Sequence, residues 1–476
     1  MEERQGESLC GNYDEDIRTM DRILRTGESF DLIRRRMETG GARLTLYYLD
    51  GMVRTDSLEK ILTLITSDPE FGHGEPGAAR AFCERRLPAA SASAVSSVEA
   101  LVTAVMGGSL LIFCDRFDGS AVAAELRNFP SRNSEEPEND KVMRGSRDGF
   151  VETLLTNVSL VRRRIRSPEL TVTKLTAGKS TRTDVALLWM RDRADGEYVR
   201  ELTEILRGMN TDSLVLGHAS ISESIRRRGW YNPFPKVRET ERPDAAAAVL
   251  LEGGVIVFCD NSPEAMIFPT TLFHFLQETD DFYFSPLTGT YLRILRHVIF
   301  WLTMVVTPLW YLSLRHAELL PPMLHFLLPA DPGDLPILVQ LIVAEFALDG
   351  LKLASLNTPD VLASSLSVVG GLLLGDFAVT VGWLSPDVIL YMAFVSIANF
   401  TQSSYELGCA FKYLRVVTLL LTAAFDWFGL LLGVALGVTL AATNVTLDGR
   451  RRYLYPLFPW DGEAFSRLVL RRGKKD

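Results

Sequence analysis

Four carboxylates stand inside or beside long apolar stretches of this chain: Glu345, Asp349, Asp376 and Asp426. At a bilayer centre an ionised carboxylate facing lipid costs several kcal/mol, so each must face protein or water. Two roles follow from that constraint. Rings of Asp or Glu contributed by several copies select cations in a pore. A single hydrogen-bonded or protonated acid is instead structural. Asp376 is the only charge in residues 362–381, and Asp426 the only one in 416–442. Glu345, Asp349 and Lys352, spaced four and three apart, share one face of a helix predicted over 337–353. Conductance of Asp376→Asn and Asp426→Asn would decide whether either charge matters to ion passage.

Beside Asp376 runs a stripe of small residues at steps of three or four: Ser364, Ser367, Gly371, Gly375, Ala378 and Gly382. Larger side chains, Leu362, Leu366, Val369, Leu373 and Phe377, occupy the other faces. Such a stripe permits close helix contact, which is the reading the residues alone favour. Alternatively it leaves room for a water column when several copies surround an axis. Leu373→Ala should then alter ion leakage only if this helix bounds a pore.

Other chemistries find little support. The sequence has neither G-x-x-x-x-G-K-[ST] nor G-x-G-x-x-G, and neither H-E-x-x-H nor G-x-S-x-G. An enzyme is therefore the least expected reading, and no cofactor or metal is implied. His274, Glu278, Asp280 and Asp281 imitate a metal cluster, but the surrounding Phe273, Phe275, Phe282, Tyr283 and Phe284 suit a segment lying on a membrane surface. The arginine runs 162–164 and 226–228 read as solvated helix ends, with anionic headgroups or an acidic partner as the sharper alternative. Cys10, Cys83, Cys114, Cys259 and Cys409 are odd in number and form no C-x-x-C pair, so they read as free, buried thiols in a reducing compartment.

The elements that must position these groups divide sharply. Of 476 residues 47% are hydrophobic and 23% charged, with 50 Lys+Arg against 59 Asp+Glu and a formal net charge of −9. That acidity excludes nucleic acid as a partner. Charges are frequent up to Arg296 and scarce in long stretches beyond it. The soluble part alternates strand patterns (44–49, 109–114, 185–190, 214–216, 255–259) with helical ones (56–65, 149–165, 198–207, 221–228, 245–251). This predicts an α/β or α+β region in two parts, followed by an all-α polytopic membrane domain. The parts are an N-terminal tail (1–27), a first subdomain (28–127), a linker (128–147) and a second subdomain (148–285). Beyond them lie the transmembrane domain (286–447) and a basic tail (448–476). Apolar strands that each end in an aspartate, Asp115 and Asp260, hint at two related halves.

Spans are predicted at 298–314, 362–381, 386–401 and 416–442, with 337–353 amphipathic or re-entrant. Trp and Tyr sit near several span ends. The N-terminus shows no apolar signal segment, and the arginine- and lysine-rich tail obeys the positive-inside rule, so both termini are expected in the cytoplasm. Both ends inside requires an even number of spans. Four satisfies it, whereas six would need a crossing that the sequence does not display.

A longer pattern points further. Tyr231–Asp244 (YNPFPKVRETERPD) contains Pro233, Phe234 and Pro235, then Thr240, Glu241, Arg242, Pro243 and Asp244. Downstream come Asp260-Asn261-Ser262-Pro263, Phe268-Pro269-Thr270-Thr271, the box Asp280-Asp281-Phe282-Tyr283, and Thr290–Arg296. The membrane half adds VVGGLLLG at 368–375, then Tyr405, Glu406, Leu407, Gly408, Leu414 and Arg415. In this order the residues resemble the GerA family of spore germination proteins, A-subunit type, from about residue 28 to the end. Phe30-Asp31 and Tyr47–Gly51 lean towards its SpoVAF branch. The resemblance implies an integral protein of the inner spore membrane or cell membrane, in contact with membrane lipid. It implies a homo-oligomer, a pentamer, that releases monovalent cations and amplifies the germination signal. A small membrane partner protein and other germination proteins are the implied partners. Under it the 364–382 stripe becomes a pore-lining candidate. The competing reading is a membrane-anchored scaffold, or germinant-receptor subunit, that assembles partners without conducting ions. A secondary transporter lacks the paired half-repeats such folds show.

Overall fold

The computed structural model describes residues 8–67, 78–128, 145–209, 217–225, 231–278, 280–356, 368–401, 404–444 and 452–470. They belong to two compact units, Met1–Arg227 with Glu239–Pro269, and Arg228–Arg238 with Thr270–Asp476. The boundary expected at 285/286 therefore lies earlier. Residues 270–285, and the strap 228–238 cut out of the second subdomain, belong to the helical unit.

The first unit contains α1 (Tyr13–Leu24), β1 (Leu32–Thr39), β2 (Ala42–Leu49), α2 (Thr55–Ser67), α3 (Ala78–Arg85), β3 (Ala92–Val95), α4 (Val98–Met106), β4 (Leu110–Cys114) and β5 (Ala121–Ala124). The succession then repeats as α5 (Leu154–Arg164), β6 (Leu170–Ala177), β7 (Thr183–Met190), α6 (Gly196–Arg207), α7 (His218–Ile225), β8 (Arg238–Thr240), α8 (Pro243–Leu251), β9 (Val255–Cys259) and β10 (Ala265–Phe268). Each set builds a five-stranded sheet, in the orders β1-β2-β4-β5-β3 and β6-β7-β9-β10-β8. The second order reproduces the first. Registers agree as well: Leu44 lies opposite Cys114 in one sheet, Val185 opposite Cys259 in the other. The aspartate-ended strands are thus equivalent positions of an internal duplication.

The described ladders are antiparallel, which makes the unit α+β. Both faces of the first sheet are nevertheless covered. Leu44, Leu46 and Ile112 pack with Leu58, Ile61 and Phe82 from α2 and α3. Tyr47, Leu49, Leu111 and Phe113 pack with Ile17, Met20, Leu101 and Val105 from α1 and α4. Two covered faces explain why β4 and β9 are continuous apolar runs, buried at every residue. The expected strand 214–216 lies outside the described residues.

A buried ion pair holds the two halves of this unit together. Arg162 donates from Nε to Asp31 Oδ2 at 2.7 Å and from Nη2 to Asp31 Oδ1 at 3.1 Å, with side-chain exposures of 2% and 1%. Arg164 donates twice to Asp148 at 2.7 Å, and Arg25 twice to Glu169. The run 162–164 is therefore not a solvated helix end: two of its members are internal cross-links. Residues 226–228 lie outside the described residues. Cys114 and Cys259 are buried free thiols, and burial pushes their pKa values up to about 11 and about 12, so they are inert. Cys10, by contrast, is exposed.

The second unit holds α9 (Asp280–Tyr283), α10 (Pro286–Arg315), α11 (Ile337–Leu356), α12 (Val368–Thr380), α13 (Pro386–Phe400), α14 (Tyr405–Thr443) and α15 (Gly462–Val469). Asp426, at φ 53° and ψ −129°, breaks α14. A Cβ built on Gly429 would lie 1.9 Å from the Leu421 carbonyl oxygen, one on Gly433 2.5 Å from Thr418 Oγ1, and one on Gly437 3.5 Å from Leu414. One number rises as the other falls, so 405–425 and 427–443 form an antiparallel hairpin turning at Asp426. The single span expected at 416–442 is corrected accordingly. Its apolar run is continuous because both arms are buried or apolar, and the turn has no proline to betray it.

Contacts order the remaining helices. Phe300 and Phe411 approach with ring centroids 3.8 Å apart, and Arg315 reaches the Ala423 carbonyl at 2.6 Å, so α10 runs parallel to the first arm. In α11, Glu345 meets Arg415 and Asp349 meets Lys412, which sets it antiparallel to that arm. Gly370 packs against Leu351, while Asp334 N–H donates to the Gly382 carbonyl, so α12 runs opposite to α11. Gln340 holds the Ser385 N–H at the start of α13. Among the described residues, α10, α11, α12, α13 and the two arms alternate in direction as six segments. The two segments beyond the four expected as spans are α11 and the second arm.

Candidate functional site

The helical unit gives its four carboxylates different surroundings. Glu345 is taken by Arg415, whose side chain is 2% exposed and whose Nη1 also reaches the Thr303 carbonyl at 3.4 Å. Asp349 accepts from Lys412 Nζ at 2.7 Å, and one turn further Lys352 lies 4.1 Å above the Tyr405 ring. The shared face read from spacing is real, but it is spent on α14. Neutralised in pairs, these two acids lack the free charge that cation selection requires. Asp426 is bound by Arg315 at 3.1 Å and lies 3.5 Å from His316, which stacks on Trp427. These partners hold an L-residue in a backbone conformation that favours glycine.

Asp376 differs. It is exposed and forms no ion pair among the described residues. A π-helical stretch, Leu373–Phe377, interrupts α12 there, and such bulges occur often at functional sites. On the same helix Gly371 and Gly375 have open space where a Cβ would stand, while Gly370 is filled by Leu351. The chain's own packing therefore uses the neighbouring glycine and leaves Gly371 and Gly375 free, whereas Gly382 of the same stripe lies against Asp334. Ala378 is half-buried beside the cluster of Trp310, Leu341 and Val388. Ser364 and Ser367 lie outside the described residues.

At the other end of α10 the apparent metal cluster is an ion-pair network. Asp281, fully buried, accepts from Arg296 Nη1 at 3.0 Å and lies 3.4 Å from Arg293; Glu278 accepts from Arg296 Nη2 at 2.8 Å. Phe273 and Phe275 are buried in the helical core rather than lying on a membrane surface. Counter-arginines one turn apart in Thr290–Arg296 were the available signal. His274 is a neutral ring: Thr271 N–H donates to its Nδ1 at 3.2 Å, and burial, with the charge of Arg238, lowers its pKa from 6.5 to about 4. The sign is fixed. A depressed folded pKa stabilises above about pH 6.5, and that stability is lost as pH falls towards 4. Near pH 5 the loss should be about 1–2 kcal/mol. Melts of the chain and of His274→Gln at neutral and acid pH check it, the variant being less acid-sensitive in that window.

The proline-rich signature divides between the units. Phe234 is buried against Phe411 and Tyr453, at centroid distances of 5.8 and 6.0 Å, and Asn232 Nδ2 donates to the Leu440 carbonyl at 2.8 Å. Pro233 and Pro235 flank Phe234 on this strap of the helical unit. In the first unit, buried Arg242 pairs with Asp244 at 2.7 Å, Pro243 begins α8, the Thr240 hydroxyl accepts the Arg242 N–H at 3.2 Å, and the Glu241 carbonyl accepts the Phe150 N–H. At the start of α14, Tyr405 is exposed, Glu406 lies in the first turn, Leu407 is buried and Gly408 donates to the Ser404 carbonyl. Each part of the signature is held by contacts within its own unit. Among the described residues no group of His, Cys, Asp and Glu could hold a metal.

The helix Pro286–Arg315 and the apolar stretch Tyr405–Thr443, folded as the hairpin described above, are long and apolar enough to reach across a membrane by length and composition. Stage V sporulation protein AF of Bacillus subtilis (strain 168) is 34% identical over 94% of this chain and 90% of its own length. Spore germination protein KA of the same organism is 29% identical over 94% of this chain and 82% of its own length. The crystal structure of the N-terminal domain of the A subunit of the Bacillus megaterium spore germinant receptor GerK3 covers 55% of this chain and 96% of that domain, at 23% identity and a TM-score of 0.42. The family model described as Bacillus/Clostridium GerA spore germination protein matches residues 19–475. The chain belongs to the GerA family of spore germination proteins.

Proposed function

We propose that this membrane protein is a subunit of a homo-oligomeric channel that releases monovalent cations during germination, with α12 facing the conduction path. The observation that carries this is Asp376. Of the four carboxylates it alone lacks an ion-pair partner among the described residues, on a helix whose Gly371 and Gly375 face open space. An exposed carboxylate on an apolar helix needs water or another copy of the chain beside it. A ring of such residues supplies both. The six alternating segments then cross the bilayer, returning the chain to its starting side. The inner spore membrane, a pentameric ring and a small membrane partner follow from the family resemblance, and the role is conduction rather than catalysis.

Purified chain in potassium-loaded liposomes should leak potassium. Asp376→Asn should cut the preference for cations over anions by about tenfold, and Gly375→Leu should suppress flux while leaving the protein monodisperse. If flux is absent with every partner supplied, or is indifferent to both changes, the chain is the anchored scaffold instead.

A further inference from the structure

One fully buried amide fixes the end of the helix that carries Asp376. Gln340, in the first turn of α11, is 0% exposed. Its Nε2 donates to the Pro332 carbonyl at 2.6 Å and to the Leu335 carbonyl at 2.7 Å, and its Oε1 accepts the Ser385 N–H at 2.8 Å. Both amide hydrogens and the oxygen are used, each on main chain. The two segments so joined also touch directly. Asp334 N–H donates to the Gly382 carbonyl at 3.0 Å, and Gly333 and Gly382 hold φ of 73° and 78°. A Cβ on Gly333 would stand 2.9 Å from the Gly382 carbonyl oxygen, and one on Gly382 3.0 Å from Asp334 Oδ2. Main chain lies on main chain here, and the glutamine satisfies buried groups that no helix of their own supplies with partners.

This knot closes α12. Gly382 N–H donates to the Val379 carbonyl and Trp383 N–H to that of Ala378, so the helix ends on the glycine that meets Asp334. Asp376 lies six residues earlier, less than two turns away, and its carbonyl accepts the Thr380 hydroxyl at 2.6 Å. Towards its start α12 meets α11 again, Gly370 against Leu351. α11 is itself locked to α14, through Glu345 with Arg415 and Asp349 with Lys412. Two attachments to a fixed helix set both the height of α12 and its rotation about its own axis. The π-helical stretch Leu373–Phe377 lies between them, so the direction of Asp376 depends on how the end of the helix is held.

We propose that Gln340 is a positioning residue for ion passage. By tying residues 332–335 to 382–385 it holds α12 at the rotation that turns Asp376, Gly371 and Gly375 towards the conduction path. Gln340 touches no ion and acts through Asp376. The inference rests on the channel reading of α12, and the experiment tells failure of one from failure of the other.

Full-length chain, Gln340→Met, Asp376→Asn and the double variant are reconstituted in planar bilayers under a potassium chloride gradient. The reversal potential reads the preference for potassium over chloride, a ratio independent of how many channels are folded. Gln340→Met removes the three hydrogen bonds at nearly constant volume and should lower that preference about fivefold, approaching the effect of Asp376→Asn. In the double variant the two losses should not multiply, because both act on one carboxylate. Should Gln340→Met prove polydisperse, Gln340→Asn, which keeps the amide but is one methylene short, replaces it with the same expected direction. A Gln340 variant that reduces current while leaving the reversal potential in place overturns the proposal, the residue then being structural. A double variant whose loss is the product of the single ones overturns it too. If the parent chain carries no current, or Asp376→Asn leaves the preference unchanged, the channel reading fails and the positioning role falls with it.

Discussion

Gly429→Ala is expected to prevent the helical unit from reaching a monodisperse folded state. The added methyl would stand 1.9 Å from the Leu421 carbonyl oxygen and 2.3 Å from its carbon, both backbone atoms that no rotamer change can move. Relief requires the two arms of α14 to separate, which strips the contacts of Gly433 with Thr418 and of Gly437 with Leu414. Overpacking that side chains can absorb costs about 1–3 kcal/mol. Here the backbone must shift, so the loss should exceed that range. Gly371→Ala is the control: it meets open space and should leave size-exclusion behaviour and melting unchanged. Equal behaviour of the two variants would refute the hairpin.

In the other unit the largest effect is expected at Arg162. Arg162→Met leaves Asp31 buried and charged with its two strongest donors gone. Breaking such a pair costs about 3–5 kcal/mol. At about 2–4 °C per kcal/mol for a unit of this size, melting should fall by roughly 10 °C. Asp31→Leu combined with Arg162→Met should recover much of the loss, because two apolar groups leave no orphaned charge. A double variant as unstable as the sum of the two single ones would mean that the residues do not act as a pair.

Legibility in the sequence followed burial. β2, β4, β7 and β9 could be read because central strands covered on both faces are uninterrupted apolar runs. The edge strand β1, LIRRRMET, hid behind its arginines, exposed along one margin of its sheet. The duplication showed only as two aspartates, since equivalent positions share depth rather than identity. In the helical unit, composition marked the apolar helices but not the turn within α14. Gly429, Gly433 and Gly437, spaced by four, were the sign of a close partner helix, yet a partner made of Leu421, Thr418 and Leu414, upstream on the same apolar stretch, is invisible to a periodicity argument. The acids of α11 could be placed on one face, whereas that Arg415 and Lys412 would neutralise them depends on the tertiary fold alone.

The chain leaves the soluble unit at Arg227, returns to it at Glu239 and leaves it again after Pro269. Such threading forbids modular inheritance: recombination at one junction would carry away α8, β9 and β10 or strand the strap with a foreign host. Chimaeras between relatives should therefore be viable only when both exchanges, the strap and everything after Pro269, come from the same parent.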